Sequence, residues 1–332
     1  VPIVRGMRAG EALRTTVFVG ESQTLADAEQ RLLAYERSTL FEGAAYRMRT
    51  RLLGLETETW LDALGKPLLE TAMHGAMISA LEDPARARAY LVEASLNRQE
   101  SLLEFSLLPA AALPEARRIA ALSIAVDGVP AALEVPDTAG QHCLRRDLRI
   151  DCRIDRRAPA ARGDARAAQA YLRPTLAAPS NERQFIELAQ TIVAGATDAP
   201  ARIARLLEWI DANIAKEAVD AFSAADVLRE RRAECQGHAY LFAALARAAG
   251  LPTRVVNGVV YAPEHGGFLY HTWNEVWLAG EAWRAVDPTF GQAHADATHL
   301  ALAVGESPAA LAPLAAMVGR ARVLEVGSVA HW

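Results

Sequence analysis

The chain has 332 residues, of which 52% are hydrophobic and 23% charged, so a disordered or fibrous protein is excluded and two ordinary domains fit. Net charge is −5, from 35 basic and 40 acidic residues without a long block of like charges, which argues against nucleic acid as the main partner. No apolar run reaches the roughly 18 residues that a membrane-spanning helix needs.

The basic residues are almost all Arg, with Lys66 and Lys216 the two lysines, and Ala is abundant; this reads as coding bias rather than chemistry. The sequence opens on Val, which leaves open a removed signal or anchor, or a trimmed chain. Cys143, Cys152 and Cys235 are too few for a disulfide framework. Cys143 and Cys152 can pair across a hairpin in an oxidising compartment, or remain two buried thiols. Both readings stay open.

In chain order, residues 12–19 read as a strand ending at Gly20. Tyr46 to Leu53 and Glu56 to Trp60 have β-type composition around Gly54, and Ala63 to Lys66 reads as a turn. Thr71 to Leu81, Ile119 to Val126 with a turn at Asp127-Gly128, and Leu148 to Ile154 are further strands; Asp83 to Glu93 suits a helix. Residues 1–155 therefore read as a β-rich domain. Residues 156–179, with Pro174 and Pro179, read as a linker.

From Ser180 the signals sharpen. Ser180 or Asn181 can cap a helix with Phe185, Ile186, Leu188, Ile192 and Val193 on one face. Asp198 with Pro200 opens a second helix, and Ser223 caps a third over 224–230. A fourth begins at Cys235 and stops at Gly250, confirmed by Leu251-Pro252. The period then switches from helical to alternating: strands at 254–261, 268–278 and 283–287 follow, an α+β layout.

Cys235 heads its helix, where the free N–H groups and the helix dipole favour an anion. A cysteine nucleophile needs a base, and the base needs an orienting group. Counting outward from a three-residue turn at Leu278-Ala279-Gly280 pairs Trp277 with Glu281, Glu275 with Trp283, Trp273 with Ala285, and His271 with Asp287. That register is one of two or three choices. It makes an imidazole and a carboxylate cross-strand neighbours.

Three stretches then carry a resemblance: Ala233 to Val256 around Cys235, Tyr270-His-Thr-Trp-Asn-Glu-Val-Trp277, and Trp283-Arg-Ala-Val-Asp-Pro-Thr289. Together and in this order they resemble the bacterial transglutaminase-like superfamily. The resemblance implies a papain-like α+β core over 180–332, with Cys235 as nucleophile, His271 as base and Asp287 as orienting group. It also implies that the Cys235 N–H helps form an oxyanion hole. Gly291 to Leu300 is similar to the segment that follows the aspartate in an exported subgroup with a β-rich N-terminal domain, which implies a periplasmic or otherwise extracytoplasmic protein. The chain departs from many relatives at Ala233-Glu234 and at Gln236-Gly237, positions that shape the mouth of the site.

Other residues have plainer readings beside the functional ones. Gln236, His238 and Trp273 are candidate substrate contacts, with His238 otherwise a polar helix residue and Trp273 otherwise core. His265 reads as solvated, Trp209 as core, and Glu275 as the partner of an arginine. His294, Asp296 and His299 lack a fourth clustered ligand, so no metal is expected, nor any cofactor or calcium site. The expected activity is thiol-dependent acyl transfer on amide bonds, with hydrolysis of a peptide or protein favoured over transfer to an amine acceptor. The alternative is a non-catalytic binding or assembly module, its N-terminal domain engaging an envelope partner.

Overall fold

The computed structural model describes residues 6–19, 24–37, 43–53, 55–72, 77–81, 106–158, 164–217, 219, 221, 223–278 and 282–332. The helix expected over 83–93 lies outside these residues. The chain divides into two compact units: 1–107 with 128–132 and 307–321, and 108–127 with 133–306 and 322–332.

The first unit is built on a six-stranded antiparallel meander: β1 (Ala12–Val19), β2 (Thr24–Arg37), β3 (Ala44–Leu52), β4 (Leu55–Leu61), β5 (Pro67–Ala72) and β6 (Met77–Ala80). The composition of β2, Thr-Leu-Ala-Asp-Ala-Glu-Gln-Arg-Leu-Leu-Ala-Tyr-Glu-Arg, suits a helix better than a strand. Pairing on both sides, with β1 and β3, overrides that preference. Among the described residues of this sheet, Ala28, Leu32, Ala45, Met48 and Leu69 are buried, while Arg47 and Arg49 converge on Glu58 at 2.5 and 2.7 Å.

The second unit takes in the strands of 119–155, which the residue pattern alone groups with the N-terminal domain. β7 (Leu108–Pro109), β8 (Ile119–Asp127), β9 (Gln141–Arg146) and β10 (Arg149–Asp155) lead to α1 (Ala165–Gln169), a helix within the expected linker. α2 (Arg183–Ile192) and α3 (Ala199–Asn213) follow; Asp198 caps α3 by accepting the Ala201 N–H at 2.8 Å. The cap of α2 is Glu182, not Ser180 or Asn181, because residues 179–182 first close a turn in which the Glu182 N–H meets the Pro179 carbonyl.

Next come the short parallel pair β11 (Ala215–Lys216) and β12 (Arg232–Ala233), with α4 (Ala224–Glu230) between them, capped by Ser223. α5 (Cys235–Ala248), β13 (Thr253–Ala262), β14 (Gly267–Leu278), β15 (Ala282–Val286) and β16 (Leu300–Val304) complete the centre. α6 (Pro308–Ala315) belongs to the first unit, and β17 (Arg322–His331) returns to the second. One sheet runs β17-β8-β10-β9; the other runs β15-β14-β13-β16, with β7 on β14. The result is the α+β arrangement expected, preceded in the chain by a β-rich region.

α5 is buried on every side from Ala239 to Ala246, packed among α2, α3, α4, β13 and β14. Its small residues let those neighbours approach. Gly237 marks the tightest approach, since a Cβ there would lie 2.6 Å from the Ala233 Cβ and 2.9 Å from Val227 Cγ2.

A second close approach joins β13 to β16. A Cβ on Gly258 would meet the Leu300 carbonyl oxygen at 2.0 Å and Trp273 Cη2 at 2.9 Å, where the pairing of these strands shifts register. Backbone, not a flexible side-chain end, would have to move. Gly258→Ala is therefore expected to cost about 3 kcal/mol or more in denaturant unfolding. A loss below about 0.5 kcal/mol would contradict this packing.

Candidate active site

Cys235 is the first residue of α5, and its N-cap, Glu234, makes no side-chain capping bond to the first turn. The cysteine is partly exposed. Asn274 of β14 ties the helix to the sheet by donating to the Ala239 carbonyl, one turn beyond Cys235, at 3.1 Å. The Cys235 thiol lies beside the His271 side chain of that strand and contributes to raising its pKa. His271 Nε2 is 2.8 Å from Asp287 Oδ2, which leaves Nδ1 as the ring nitrogen for the thiol.

The pairing of β14 with β15 differs from the sequence-based register by two residues. Trp277 pairs with Trp283, Glu275 with Ala285, and Asn274 with Val286. Three residues, 279–281, separate the paired Leu278 and Ala282, and the expected turn residues Ala279 and Gly280 lie outside the described set. A shift of two preserves side-chain parity, so the imidazole and the carboxylate still meet. Asp287 stands just past β15, where its N–H and carbonyl pair with those of Gln292 at 2.9 and 2.8 Å.

Asp287 is fully buried and every acceptor position is used. Oδ1 takes the Thr289 and Phe290 N–H groups at 2.7 and 3.2 Å, and Oδ2 takes His271 and His299 at 2.8 and 3.0 Å. Burial alone would raise its pKa, but the two imidazoles hold it well below the usual carboxylate range. Burial alone would likewise lower the pKa of His271. The Asp287 charge and hydrogen bond outweigh that and raise it far above the ordinary 6.5.

Aromatic rings fix the imidazole plane. Phe290 stacks on His271 with centroids 5.0 Å apart and planes 13° apart, and Trp273 lies 6.2 Å away at 19°. The Arg117 guanidinium sits 3.9 Å from the Phe290 centroid and reaches Asp296 Oδ2 at 3.3 Å. The sequence offered no signal for Arg117, which is far away along the chain. Phe290 lies three residues after Asp287, directly beyond the aspartate motif, and could have been suspected from that position.

The three candidate substrate contacts fare differently. Gln236 is partly exposed and donates to the Tyr240 hydroxyl at 2.7 Å. His238 is fully buried, with Nδ1 2.8 Å from the Glu234 carbonyl, and burial lowers its pKa. Trp273 is also fully buried, packed among Val256, Ala285, Ala295 and Ala301. Neither His238 nor Trp273 presents a surface to a substrate in this arrangement, because the core claims both.

His265 is exposed in its loop, and Trp209 packs at the edge of the helical core. Glu275 takes the Arg254 guanidinium at 2.6 Å and the Thr138 hydroxyl at 2.7 Å, the arginine partner expected of it. His294 lies against Trp332, with ring centroids 4.9 Å apart and planes tilted by 52°, instead of joining Asp296 and His299. Among the described residues, His271, Asp287 and His299 bring ligand atoms within 4.8 Å of one another and are the ones that could hold a metal ion. Those atoms are already hydrogen-bonded to one another. Cys143 and Cys152 are register partners on β9 and β10 and form a disulfide.

The sequence profile described as the Transglutaminase-like superfamily matches residues 186–288, a span holding Cys235, His271 and Asp287. Kyphoscoliosis peptidase of Mus musculus is 36% identical over 86 residues, 24% of this chain. The chain spans 13% of that protein's length. A cysteine-protease candidate from Cytophaga hutchinsonii aligns with TM-score 0.41 at 18% identity, over 64% of this chain and 89% of that one. The periplasmic domain of TgpA from Pseudomonas aeruginosa aligns with TM-score 0.39 at 18% identity, over 56% of this chain and 88% of that one.

The electrostatics of the buried pair can be checked directly. In ring-labelled NMR, His271 should still be cationic at about pH 8. Asp287→Asn removes the anion and leaves burial in force, so the titration should fall below about 6.5. An unchanged midpoint in the variant would contradict the assignment of the shift to Asp287.

Proposed function

From a chain whose residues 186–288 are a transglutaminase-like superfamily domain, we propose that the protein is a cysteine-dependent acyl-transfer enzyme acting on amide bonds of peptides or proteins. One observation carries the reading. A partly exposed thiol at the start of a helix lies beside a histidine whose Nε2 is held by a buried, ionised aspartate.

Cys235 is the nucleophile, His271 the base and Asp287 the orienting group. The His271 ring takes the thiol proton, and Sγ attacks the substrate carbonyl carbon. The Cys235 N–H, in the first turn of α5, is assigned as a donor to the developing oxyanion. As the tetrahedral intermediate collapses, the carbon–nitrogen bond breaks and His271 gives its proton to the departing amine. The acyl group is left as a thioester on Cys235. Water then attacks with His271 accepting its proton, the carbon–sulfur bond breaks, and the proton returns to the thiol.

Hydrolysis of a peptide or isopeptide bond is the favoured outcome; an amine in place of water would give transamidation by the same steps. We place the protein outside the cytoplasm, and support comes from the Cys143–Cys152 disulfide, a bond that persists in oxidising compartments.

An activated acyl donor should leave a mass adduct on Cys235, and a peptide library should be cleaved with loss of about a thousandfold or more in Cys235→Ala and about a hundredfold or more in His271→Ala. Adding a primary amine measures the share of thioester that escapes water. Cleavage that survives in Cys235→Ala would refute the reading.

A further inference from the structure

The acyl-transfer reading leaves a second histidine on the same carboxylate without a role. His299 is fully buried and sits one residue before β16, beside the Leu300 carbonyl that Gly258 admits. Its Nε2 lies 3.0 Å from Asp287 Oδ2, the oxygen that His271 Nε2 approaches at 2.8 Å. A carboxylate oxygen has room for two donors, and here both places are taken by imidazoles. With His299 absent, a buried lone pair would go unpaired and Oδ2 would be steered by His271 alone.

The other edge of His299 faces a second buried carboxylate, that of Asp296. Its Nδ1 is 3.1 Å from the Asp296 carbonyl and 3.3 Å from Asp296 Oδ1. Asp296, itself buried, takes the Thr298 N–H at 2.9 Å, the Gln292 amide at 2.9 Å and Arg117 at 3.3 Å. The Arg156 guanidinium donates to the His299 carbonyl at 2.9 Å. The chain of contacts thus runs from Cys235 through His271, Asp287 and His299 to Asp296 and Arg117.

We propose that His299 is a positioning residue for the reaction: its Nε2–H fixes the Asp287 oxygen that receives His271, and the Asp296 loop fixes His299. This rests on the acyl-transfer reading, because the role exists only if His271 serves Cys235. A packing or loop-anchoring role makes the opposite demand, since it needs the Asp296 contact and not the one to Asp287.

Two amides separate these roles by reach. The Asn amide nitrogen falls near the Nδ1 position and can address Asp296; the Gln amide nitrogen falls near Nε2 and can address Asp287. The readout is iodoacetamide alkylation of Cys235 at about pH 6 in the full chain, followed by peptide mass spectrometry, with His271→Ala in parallel. His299→Gln should stay within about threefold of wild type, and His299→Asn should be slower by about tenfold or more.

Wild-type labelling in His299→Asn, or an equal loss in both variants, would overturn the assignment while leaving the triad intact. A wild type that labels no faster than His271→Ala would overturn the acyl-transfer reading, and this one with it. Should the Asn variant fail to fold, the wild type carries its own check. Ring-labelled NMR should show a His299 Nε2–H protected from exchange, and its absence would overturn the proposal.

Discussion

The site hangs on a carboxylate that water does not reach. Asp287 is removed from solvent and is tolerable there because four N–H groups converge on it, two from the backbone and two from imidazoles. An uncompensated charge in that position would cost several kcal/mol, so the donors are a condition of the fold as much as of the chemistry. The consequence for function runs through electrostatics. The anion makes the His271 ring hold a proton that burial would otherwise strip from it. That preference lets a ring nitrogen take a proton from the neighbouring thiol.

The surrounding fold brings the two halves of the pair together and keeps them there. α5 supplies the cysteine from a helix buried on all sides, and β14 supplies the histidine from the centre of a sheet. The Asn274 bond to the Ala239 carbonyl fixes one against the other. Phe290 and Trp273 hold the imidazole plane between them and leave its edge nitrogens for Cys235 and Asp287. Backbone contact at Gly258 lets β16 come close enough to deliver His299 to the far side of the carboxylate.

Much of this was legible in the residues themselves. The capping residues Asp198 and Ser223, the stop at Gly250 and the switch to alternating strands are local signals, and the helices and sheet of the core follow them closely. What such local signals do not carry is non-local. β2 has a helix-forming composition and becomes a strand because partners flank it on both sides. The β14–β15 register slid by two, since a three-residue loop can be seated at neighbouring positions with the same side-chain parity. Trp273 and His238 looked available because alternation and helical spacing say which way a side chain points, not what covers it. Arg117 and its contact with Asp296 join residues far apart in sequence, and no local pattern announces such a pair.

The central claim is that Cys235 and His271 form a working pair anchored by Asp287. The most direct measurement is the rate of iodoacetamide alkylation at Cys235 between about pH 4 and 9, compared for wild type and His271→Ala. The account predicts fast labelling already at about pH 5 to 6 in wild type, collapsing in the variant. Slow labelling that rises only above about pH 8, and is indifferent to the loss of His271, would contradict it.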